Sequence, residues 1–297
     1  MIGAASMPGE LEPSDLARLA ALVTERAGLA FGEARWPFLR NRAREAMLRR
    51  GFISVRRWLE ELETSAERRG SLYCDLEEAL QVHETSFFRY AEHHRILREV
   101  VLPAMVRTGG ARVRICSVGC ATGEEPYSIA MTVRETLARP TCPVEVLGLD
   151  ASRPALTAAV SGRYPASRVA SIPPAYREKY LVPDPDGFAV VPGLRQMVRF
   201  RHHDIRRGFY IGKFHVIVCC NVLLYFTPAV KQEILTRLAA SLWEGGFLFL
   251  GHADGITPPA SLFEVLPAGF VYQRIGRSVE LPTLSVAATT AASTRHD

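Results

Sequence analysis

Two glycines and two carboxylates stand close together in the sequence and could bind a nucleotide-like cofactor. They belong to the stretch from Val113 to Tyr127, VRICSVGCATGEEPY, which predicts a strand, a tight turn and the start of a helix. Gly119 and Gly123 bracket the turn and let a ligand approach the backbone closely. Glu124 and Glu125 follow, and two carboxylates at a helix start would repel a phosphate. The stretch therefore favours a ligand that carries a cation or an amine.

Further polar positions follow other apolar, β-prone runs of the sequence. Asp150 ends the run VEVLGLD, and an acid at this place can accept two hydrogen bonds from a ribose diol. Asp204 closes a later run and can accept a hydrogen bond from an adenine amino group. Asn221 and Tyr225 follow a fourth run. Because open α/β sheets bind ligands beyond the C-terminal ends of their strands, these residues are expected to frame one crevice with the glycine turn.

An open α/β sheet would position these residues, and the chain has room for a second, smaller module. Its 297 residues, 48% of them hydrophobic, can bury a large core. Positions up to about 82 contain only helical patterns, and Ser14 is placed to cap the first helix. The expected helices cover 14–28, 33–51, 54–63 and 72–82. Between the second and third strands, positions 161–192 are rich in proline and aromatic residues and predict a small antiparallel sheet.

Charge, cysteine spacing and hydropathy limit the classes of protein to which the chain can belong. The net charge of +5 and the pI of about 9.0 favour an acidic partner, which could be nucleic acid, anionic lipid or an acidic protein surface.

The sequence contains no apolar run of membrane-spanning length and no signal-peptide pattern, so we expect a cytoplasmic protein. The six cysteines show no paired spacing, which predicts reduced thiols. Adjacent His202 and His203 would point to opposite faces of a strand, so no metal site is expected.

A row of arginines marks one edge of the second expected helix. Arg35, Arg42 and Arg49 recur at intervals of seven residues, which places them on the same side of a helix. Two interpretations of this edge are open. It can be an ordinary solvated face, or it can be a dock for an acidic helix of a partner protein.

Four segments of the chain carry longer motifs. They are HETSFFR at 83–89, GCATGEEPYS at 119–128, FHVIVCCNVLLYF at 214–226 and GGFLFLGHAD at 245–254. Together they resemble the CheR-type chemotaxis receptor methyltransferases, whose motifs include N-E-T-x-F-F-R and GCSTGEEPYS, and the resemblance covers about residues 10–275. The chain departs from the family where His83 stands for Asn, Cys220 for Arg, and Ala253-Asp254 for Ser-Glu. The change at Cys220 removes a positive charge from the neighbourhood of the cofactor.

The resemblance implies a fold, a domain arrangement and a reaction. The implied fold is a Rossmann-like S-adenosylmethionine methyltransferase sheet with a small antiparallel β insertion and an N-terminal all-α domain. Residues 1–82 would form the helical domain, 83–279 the methyltransferase domain with its insertion at 161–192, and 280–297 a disordered tail. The implied reaction transfers a methyl group from S-adenosylmethionine to glutamate γ-carboxylates of chemoreceptors or similar signalling proteins.

The resemblance also implies which residues bind the cofactor. The expected set is His83, Thr85, Arg89, Gly119, Glu124, Asp150, Asp204, Ile205, Cys220 and Asn221. Thr85 and Glu124 would hold the methionine part of S-adenosylmethionine. Asp150 would bind the ribose, and Asp204 with Ile205 would bind the adenine.

Arg89 and Tyr225 are the expected catalytic residues, because they could orient the substrate carboxylate or the methionine end of the cofactor. The implied partners are cytoplasmic helices of chemoreceptors, and the spacing of Arg35, Arg42 and Arg49 leads to the hypothesis that such a helix docks on the arginine edge. In some members of the family the β insertion grips a C-terminal peptide of the receptor. Here a tight hairpin expected at 188–200 argues against such a tether. We expect a monomer that neither inserts into membranes nor binds nucleic acid.

Two other functions remain open from the sequence. The departures at His83 and Cys220 would also suit a cofactor-binding scaffold of a signalling array that has no activity. The basic pI would also suit a nucleic-acid methyltransferase. Enzymes that methylate amino groups of nucleic acids usually carry Asn/Asp-Pro-Pro-aromatic after the fourth strand, whereas this chain has Asn-Val-Leu-Leu-Tyr at 221–225, which counts against that function.

Overall fold

The computed structural model describes residues 10–64, 71–107, 112–137, 143–208, 211–267 and 269–276 of the chain. The tail predicted at 280–297 and Cys142 lie outside these residues. A group of helices comes first and is followed by a seven-stranded sheet, into which a three-stranded sheet is inserted. The fold class expected from the sequence is therefore confirmed, including its helical N-terminal part and its β insertion.

In the described ranges 10–64 and 71–107, the first four α-helices form the N-terminal bundle. They are α1 Pro13–Ala27, α2 Trp36–Arg49, α3 Val55–Thr64 and α4 Ser71–Leu80. A 3-10 turn, Glu33–Arg35, leads into α2, and the apolar faces of the bundle pack around the fully buried Trp58. The helix α1 begins earlier than expected, because Glu12 rather than Ser14 is its N-cap. It ends as predicted before Gly28, whose φ of 67° is the left-handed conformation that closes many helices.

Ten strands follow in the later residues that the structure describes. They are β1 Val113–Val118, β2 Val144–Asp150, β3 Arg163–Tyr164, β4 Leu181–Asp184, β5 Gly187–Val190, β6 Val198–His202, β7 Phe214–Cys219, β8 Leu242–Leu250, β9 Phe263–Val265 and β10 Val271–Arg274. The large sheet has the order β6-β2-β1-β7-β8-β10-β9, and its first five strands run parallel. The chain winds outward from β1 in one direction and then in the other, so a ligand crevice is expected beyond the C-terminal ends of β1 and β7.

Helices cover both faces of the large sheet. They are α5 Ala91–Ile96, which continues through a π-helical stretch Leu97–Val101 into α6 Leu102–Arg107, and then α7 Glu124–Thr136, α8 Arg153–Ser161, α9 Ala166–Val169, α10 Pro174–Tyr180, α11 Pro192–Arg195 and α12 Pro228–Ser241. One apolar core includes residues of α7 and of the stretch from α5 to α6, while α12 contributes to a second core. Central strands buried on both faces are typical of parallel sheets. Among the described helices, none combines the length and the apolar character that crossing a bilayer requires.

The insertion forms an antiparallel sheet in the order β3-β5-β4. The turn between β4 and β5 needs Gly187, which has a φ of 143° and where a Cβ would overlap the carbonyl of Tyr164. The hairpin expected at 188–200 is wrong. The chain leaves β5 at Val190, forms the short helix α11 and enters β6 of the large sheet, so the true hairpin lies earlier, between β4 and β5.

Candidate functional site

Two adjoining cavities lie beyond the C-terminal ends of the central strands. We name them the Glu125 cavity, with a volume of about 230 Å³, and the Asp150 cavity, with a volume of about 160 Å³. Residues that line both are Val82, Gly119, Asn221 and Tyr225. Ten of the eleven site residues expected from the sequence line one or both cavities. The sheet therefore brings together residues that are spread over more than a hundred positions of the chain.

The glycine turn is shaped by close contacts with neighbouring strands. Gly119 has a φ of 68°, and a Cβ at this position would overlap Val222 on the opposite wall. The N–H groups of Gly119 and Cys120 both donate to the carbonyl of Leu149, at 2.8 and 3.0 Å. Ala121 also has a positive φ, 45°, which is uncommon for a residue with a side chain. The turn therefore lies across the ends of β1 and β2 and forms part of the cavity wall.

Asp150 fixes the end of β2 to this turn. Its Oδ2 accepts a hydrogen bond from the N–H of Ala121 at 2.8 Å, and its Oδ1 accepts one from the N–H of Ser152 at 2.8 Å. Each carboxylate oxygen has a second lone pair, so two further donors can still be accepted. The Asp150 carboxylate can thus hold the turn and a ribose diol at the same time.

Asp204 lines the Asp150 cavity, but its carboxylate is already occupied. It accepts hydrogen bonds from the backbone N–H, Nε and Nη2 of Arg206, at 3.0, 2.9 and 2.7 Å, and Arg206 also reaches Glu77 of the N-terminal bundle at 2.8 Å. Burial alone would raise the pKa of Asp204, but the hydrogen bonds and charge of Arg206 outweigh it and lower the pKa. Asp204 is therefore a weaker candidate for binding adenine than the sequence indicated, and Ile205 beside it supplies a buried apolar wall.

The expectation for Glu124 requires a correction. Its carboxylate accepts a hydrogen bond from Thr122 Oγ1 at 2.6 Å and pairs with Arg168 at 3.1 Å, and it lines neither cavity. The next residue, Glu125, lines the larger cavity and accepts a hydrogen bond from Ser117 Oγ at 2.7 Å. The carboxylate available to a ligand is therefore that of Glu125.

Glu125 has an unusual protonation equilibrium. The surrounding protein removes water from the carboxylate and raises its pKa to about 7, although the Ser117 hydroxyl and the charge of Arg89 act in the opposite direction. A bound cation would favour the ionised form. Glu125 is thus suited to bind a ligand amine.

Cys220 and His93 occupy the wall where the family pattern has an arginine. The Sγ of Cys220 lies 3.7 Å from Nδ1 of His93, and both residues are buried. Burial raises the pKa of the Cys220 thiol well above its ordinary value and lowers the pKa of His93 to about 4, so both groups are neutral at pH 7. Burial likewise lowers the pKa of neighbouring His94 to about 3. Among the described residues that line the Glu125 cavity, Arg89 is therefore the one with a cationic side chain.

The loop that follows β7 is held by a buried carboxylate. Asn221 has a φ of 60°, and its Oδ1 accepts a hydrogen bond from the Tyr90 hydroxyl at 2.6 Å. The Asp254 carboxylate accepts hydrogen bonds from the N–H groups of Asn221, Leu223, Leu224 and Gly251, at 3.0, 2.9, 3.2 and 2.8 Å. In the sequence, Asp254 stands out only as a departure from the family motif. Asp254 lies just after β8, and no sequence pattern at this position indicates that its carboxylate binds the loop after β7.

The remaining expected residues stand at the cavity walls. His83 lines the Asp150 cavity, and its buried Nε2 has no hydrogen-bond partner in the part of the chain that the structure describes. Thr85 and Arg89 line the Glu125 cavity, and Arg89 Nη1 donates to the carbonyl of Glu84 at 2.8 Å. The Arg89 side chain is exposed, so its charge lies at the opening of the cavity. Tyr225 lines both cavities, and burial raises the pKa of its hydroxyl, which therefore stays protonated.

Strained backbone is concentrated around this site. In the described part of the chain, the residues other than glycine that have a positive φ are Phe88, Ala121, Asn221 and Phe270. The first three line the Glu125 cavity. The ring of Phe270 stacks on His252 at 4.0 Å, and His252 lies 5.5 Å from Tyr90 at the cavity wall. Such conformations persist where the surrounding structure holds a functional site in place.

Comparison with protein families decides what this arrangement is. Residues 83–270 match the family model described as "CheR methyltransferase, SAM binding domain". The chain belongs to the CheR methyltransferase family. It is therefore a methyltransferase of the chemotaxis type with S-adenosylmethionine as its cofactor, as expected from the four motifs.

Relatives in this CheR family extend over most of the chain. Chemotaxis protein methyltransferase 1 of Pseudomonas aeruginosa is 28% identical over 270 residues, which are 88% of this chain and 97% of the relative. The chemotaxis protein methyltransferase Cher2 of Pseudomonas putida is 28% identical over 269 residues, 87% of this chain and 97% of the relative. A chemotaxis protein methyltransferase of Listeria monocytogenes is 29% identical over 243 residues, 82% of this chain and 81% of the relative. These matches include the N-terminal region as well as the CheR domain.

The side chains of the two cavities fit S-adenosylmethionine. The Glu125 carboxylate can receive an amino group, and Asp150 keeps free lone pairs for hydroxyl groups. The Asp150 cavity also offers apolar side chains for a base, including Ile205 and Val222, and the unpartnered Nε2 of His83. In the described ranges, no cluster of three or more histidine, cysteine or acidic side chains could hold a metal ion.

Proposed function

We propose that this protein transfers the methyl group of S-adenosylmethionine to γ-carboxylates of glutamates on the cytoplasmic helices of chemoreceptors. The product would be a glutamate methyl ester. The observation that carries the proposal is that, within the described ranges, Arg89 is the one cation lining the Glu125 cavity, which Tyr225 also lines. A cation and a phenolic donor suit a carboxylate substrate, which is the group that becomes esterified.

S-Adenosylmethionine would occupy both cavities. Glu125 would bind its amino group, Thr85 would contact its methionine part, Asp150 would accept hydrogen bonds from its ribose, and Ile205 would contact its adenine. When bound, it supplies a methyl group on a sulfonium that is already an activated leaving group. The protein therefore needs no residue that activates the departing sulfur.

The substrate carboxylate needs orientation rather than deprotonation, because a glutamate is ionised at neutral pH. Arg89 can bind one of its oxygens through the guanidinium, and the protonated Tyr225 hydroxyl can donate to the other. Alignment of reacting atoms in this way can contribute about 7 to 11 kcal/mol to lowering the barrier. Positioning is thus the main task of the chain's own residues.

Receptor docking is proposed on part of the arginine edge of α2. Arg42 and Arg49 both pair with Glu45, each at 3.3 Å, and about half of each arginine side chain stays exposed. Arg35 does not belong to this surface, because its guanidinium lies over the ring of Tyr225. We therefore propose Arg42 and Arg49 as the charges that attract an acidic receptor helix.

A C-terminal peptide tether is not part of the proposal. An added peptide strand would pair with an edge of the β insertion, and one of its edges is β4. Pro183 lies within β4 and has no N–H to donate to such a strand. This feature supports recognition through the helices of the receptor alone.

The function is tested by incubating the protein with isotope-labelled S-adenosylmethionine and receptor-rich membranes. Label should enter the receptor and be released as methanol by mild base. Arg89→Gln should lower turnover at least tenfold while the affinity for S-adenosylmethionine changes far less. Binding of the cofactor without any transfer would instead support the scaffold function, and label in added DNA or RNA would support nucleic-acid methylation.

A further inference from the structure

We propose that Arg35 of the N-terminal helical bundle is a positioning residue that holds Tyr225 in the active site. The methyltransferase domain alone would then lack part of its catalytic apparatus. This inference rests on the proposed function, in which Tyr225 orients the substrate carboxylate.

The backbone from Tyr225 to Thr227 is attached to the N-terminal bundle. The N–H of Ala30 donates to the Tyr225 carbonyl at 2.8 Å, and the N–H of Thr227 donates to the Gly28 carbonyl at 2.9 Å. Between these bonds, Leu29 and Phe226 form an antiparallel bridge. The segment that links α1 to α2 thus forms a short β pairing with the loop after β7, residues 220–227, which we name the catalytic loop.

The side chain of Arg35 packs against the ring of Tyr225. Its Cζ lies 5.0 Å from the centroid of that ring, 4.8 Å from that of Phe31 and 5.9 Å from that of Phe38. Its Nη1 donates to the carbonyl of Ala30 at 3.2 Å, and Ala30 is the residue whose N–H binds the Tyr225 carbonyl. A guanidinium at such distances from aromatic rings is attracted to their faces. One arginine therefore joins the bundle to both the ring and the backbone of Tyr225.

Arg35 is not used for an ordinary ion pair. Within the described ranges its guanidinium has no carboxylate at salt-bridge distance, whereas Arg42 and Arg49 on the same helix edge share Glu45. The Arg35 side chain is also partly buried. Partial loss of water from a cation is costly unless other contacts replace it. The three aromatic faces provide that replacement, which explains why this arginine turns inward.

The other side of the catalytic loop is already fixed. Asp254 accepts hydrogen bonds from the N–H groups of Leu223 and Leu224, at 2.9 and 3.2 Å, and these bonds hold the backbone before Tyr225 but not its ring. The contact with Arg35 limits rotation of that ring. Loss of Arg35 should therefore disturb the orientation of the Tyr225 hydroxyl without removing any cofactor contact.

The test combines single and double substitutions in the full-length protein. Arg35→Gln should reduce kcat on the receptor by about 3- to 30-fold, the range that corresponds to a partly buried cation–π contact. The affinity for S-adenosylmethionine should stay within about twofold of the wild type, because no contact in either cavity is lost. Arg35→Lys, which keeps a cation, should recover part of the kcat. In a Tyr225→Ala background, Arg35→Gln should have almost no further effect, because its target is gone.

A matched control is available within the bundle. Arg26 lies 5.4 Å from the Tyr73 ring and donates to the carbonyls of Leu62 and Glu63, so Arg26→Gln removes a similar contact away from Tyr225. It should lower stability and leave kcat unchanged. An equal loss of kcat in Arg26→Gln and Arg35→Gln, or additive losses in the Tyr225→Ala background, would overturn the inference.

A spectroscopic measurement separates this inference from the proposed function. With 3-fluorotyrosine at position 225, Arg35→Gln should shift and sharpen the fluorine resonance, because the ring gains freedom. An unchanged resonance would overturn the inference even if the receptor is methylated. If the wild type fails to methylate the receptor while the resonance shifts as expected, the proposed function fails and the contact between Arg35 and Tyr225 stands.

Discussion

The carboxylate of Asp254 accepts a hydrogen bond from the backbone N–H of Asn221 at 3.0 Å, across 33 positions of sequence. Three further N–H groups share this carboxylate, and together they fix the loop that presents Asn221 and Tyr225 to the cavities. A carboxylate can accept all four bonds because it has about four lone-pair sites. The shape of the two cavities therefore depends on Asp254, which is not among the residues that line them.

Asp254→Asn should destabilise the protein and distort this loop. An asparagine has one acceptor oxygen in place of two, so about half of the N–H groups lose their partner, and the free energy of unfolding should fall by about 2 to 4 kcal/mol. Denaturation with urea measures the loss. Asp254→Glu, which restores the acid of the family motif, is the control and should lose less. Equal stability of Asp254→Asn and the wild type would contradict the anchoring role.

Asp150→Asn should weaken the binding of S-adenosylmethionine by about 1 to 3 kcal/mol, because hydrogen bonds from the ribose to a charged acceptor are lost. The same substitution should also lower stability, since the carboxylate holds the N–H groups of Ala121 and Ser152. Calorimetric titration and thermal unfolding measure the two effects separately. Unchanged affinity would show that the ribose is bound by another residue.

Replacement by glutamine should have different effects at the neighbouring residues Glu124 and Glu125. Glu125→Gln removes the carboxylate of the larger cavity, and the affinity for S-adenosylmethionine should fall by about 10- to 150-fold, as for a lost charged hydrogen bond. Glu124→Gln breaks the pair with Arg168 and should lower stability while the affinity stays within about threefold. Calorimetry on both variants distinguishes them. A large loss of affinity in Glu124→Gln and a small one in Glu125→Gln would instead support Glu124 as the residue that binds the methionine part of the cofactor.

Cofactor binding should depend on pH through Glu125. The pKa of this carboxylate is raised to about 7 in the free protein, and the ionised form is the one that binds a cation. Affinity should therefore be constant above about pH 7 and decline below it, approaching tenfold per pH unit. Glu125→Gln should show no such decline. A wild-type affinity that stays constant between about pH 5.5 and 8 would contradict the assignment.

The raised pKa of Glu125 also makes the free energy of unfolding depend on pH. The folded protein binds the Glu125 proton more tightly than the unfolded chain, whose carboxyl has the ordinary pKa of 4.5. The contribution of Glu125 to stability is therefore fully present below pH 4.5 and is lost as the pH rises through about 7. In Glu125→Gln this component of the pH profile should disappear, which chemical denaturation across the range would reveal.

Charge reversal on α2 should impair methylation of the receptor but not cofactor binding. Arg42→Glu combined with Arg49→Glu should raise KM for the receptor, and added salt should bring the wild type toward the variant, because exposed charges act mainly on encounter and are screened within about 8 Å at 0.15 M. Arg56→Glu combined with Arg57→Glu on α3 makes the same charge change on another helix and is the control. If both double variants have the same KM, α2 is an ordinary solvated face.

The architecture could be predicted from the sequence because its signals are local. Alternating apolar residues from Val113 and the glycines at the following turn define β1 and the start of α7 within a few positions. The ends of helices were less accurate, as at Ser14, because the Glu12 backbone makes its own hydrogen bond with the first turn of α1. The local sequence pattern also cannot distinguish a hairpin at 188–200 from two strands that belong to different sheets, as β5 and β6 do.

Residues of the candidate site could be predicted from the sequence only where they come directly after a predicted strand. Asp150 and Asn221 are predicted in this way, and both line the cavities. The choice between Glu124 and Glu125 depends on which carboxylate the first turn of α7 directs toward Arg168, and no spacing rule contains that information. The inward position of Arg35 depends on Tyr225, which lies 190 positions later in the chain. Such pairs are determined by tertiary packing and cannot be read from a periodic pattern.

The most direct test of the account is to locate the methyl group on the receptor. After reaction with S-adenosylmethionine, a purified cytoplasmic receptor fragment is digested and its modified peptides are identified by mass spectrometry. Methyl esters are expected on glutamate side chains; they should be removed by mild base and be absent when Arg89→Gln replaces the wild type. Methyl groups that resist base or lie on other residue types would contradict it, as would an unmodified receptor fragment in the presence of bound cofactor.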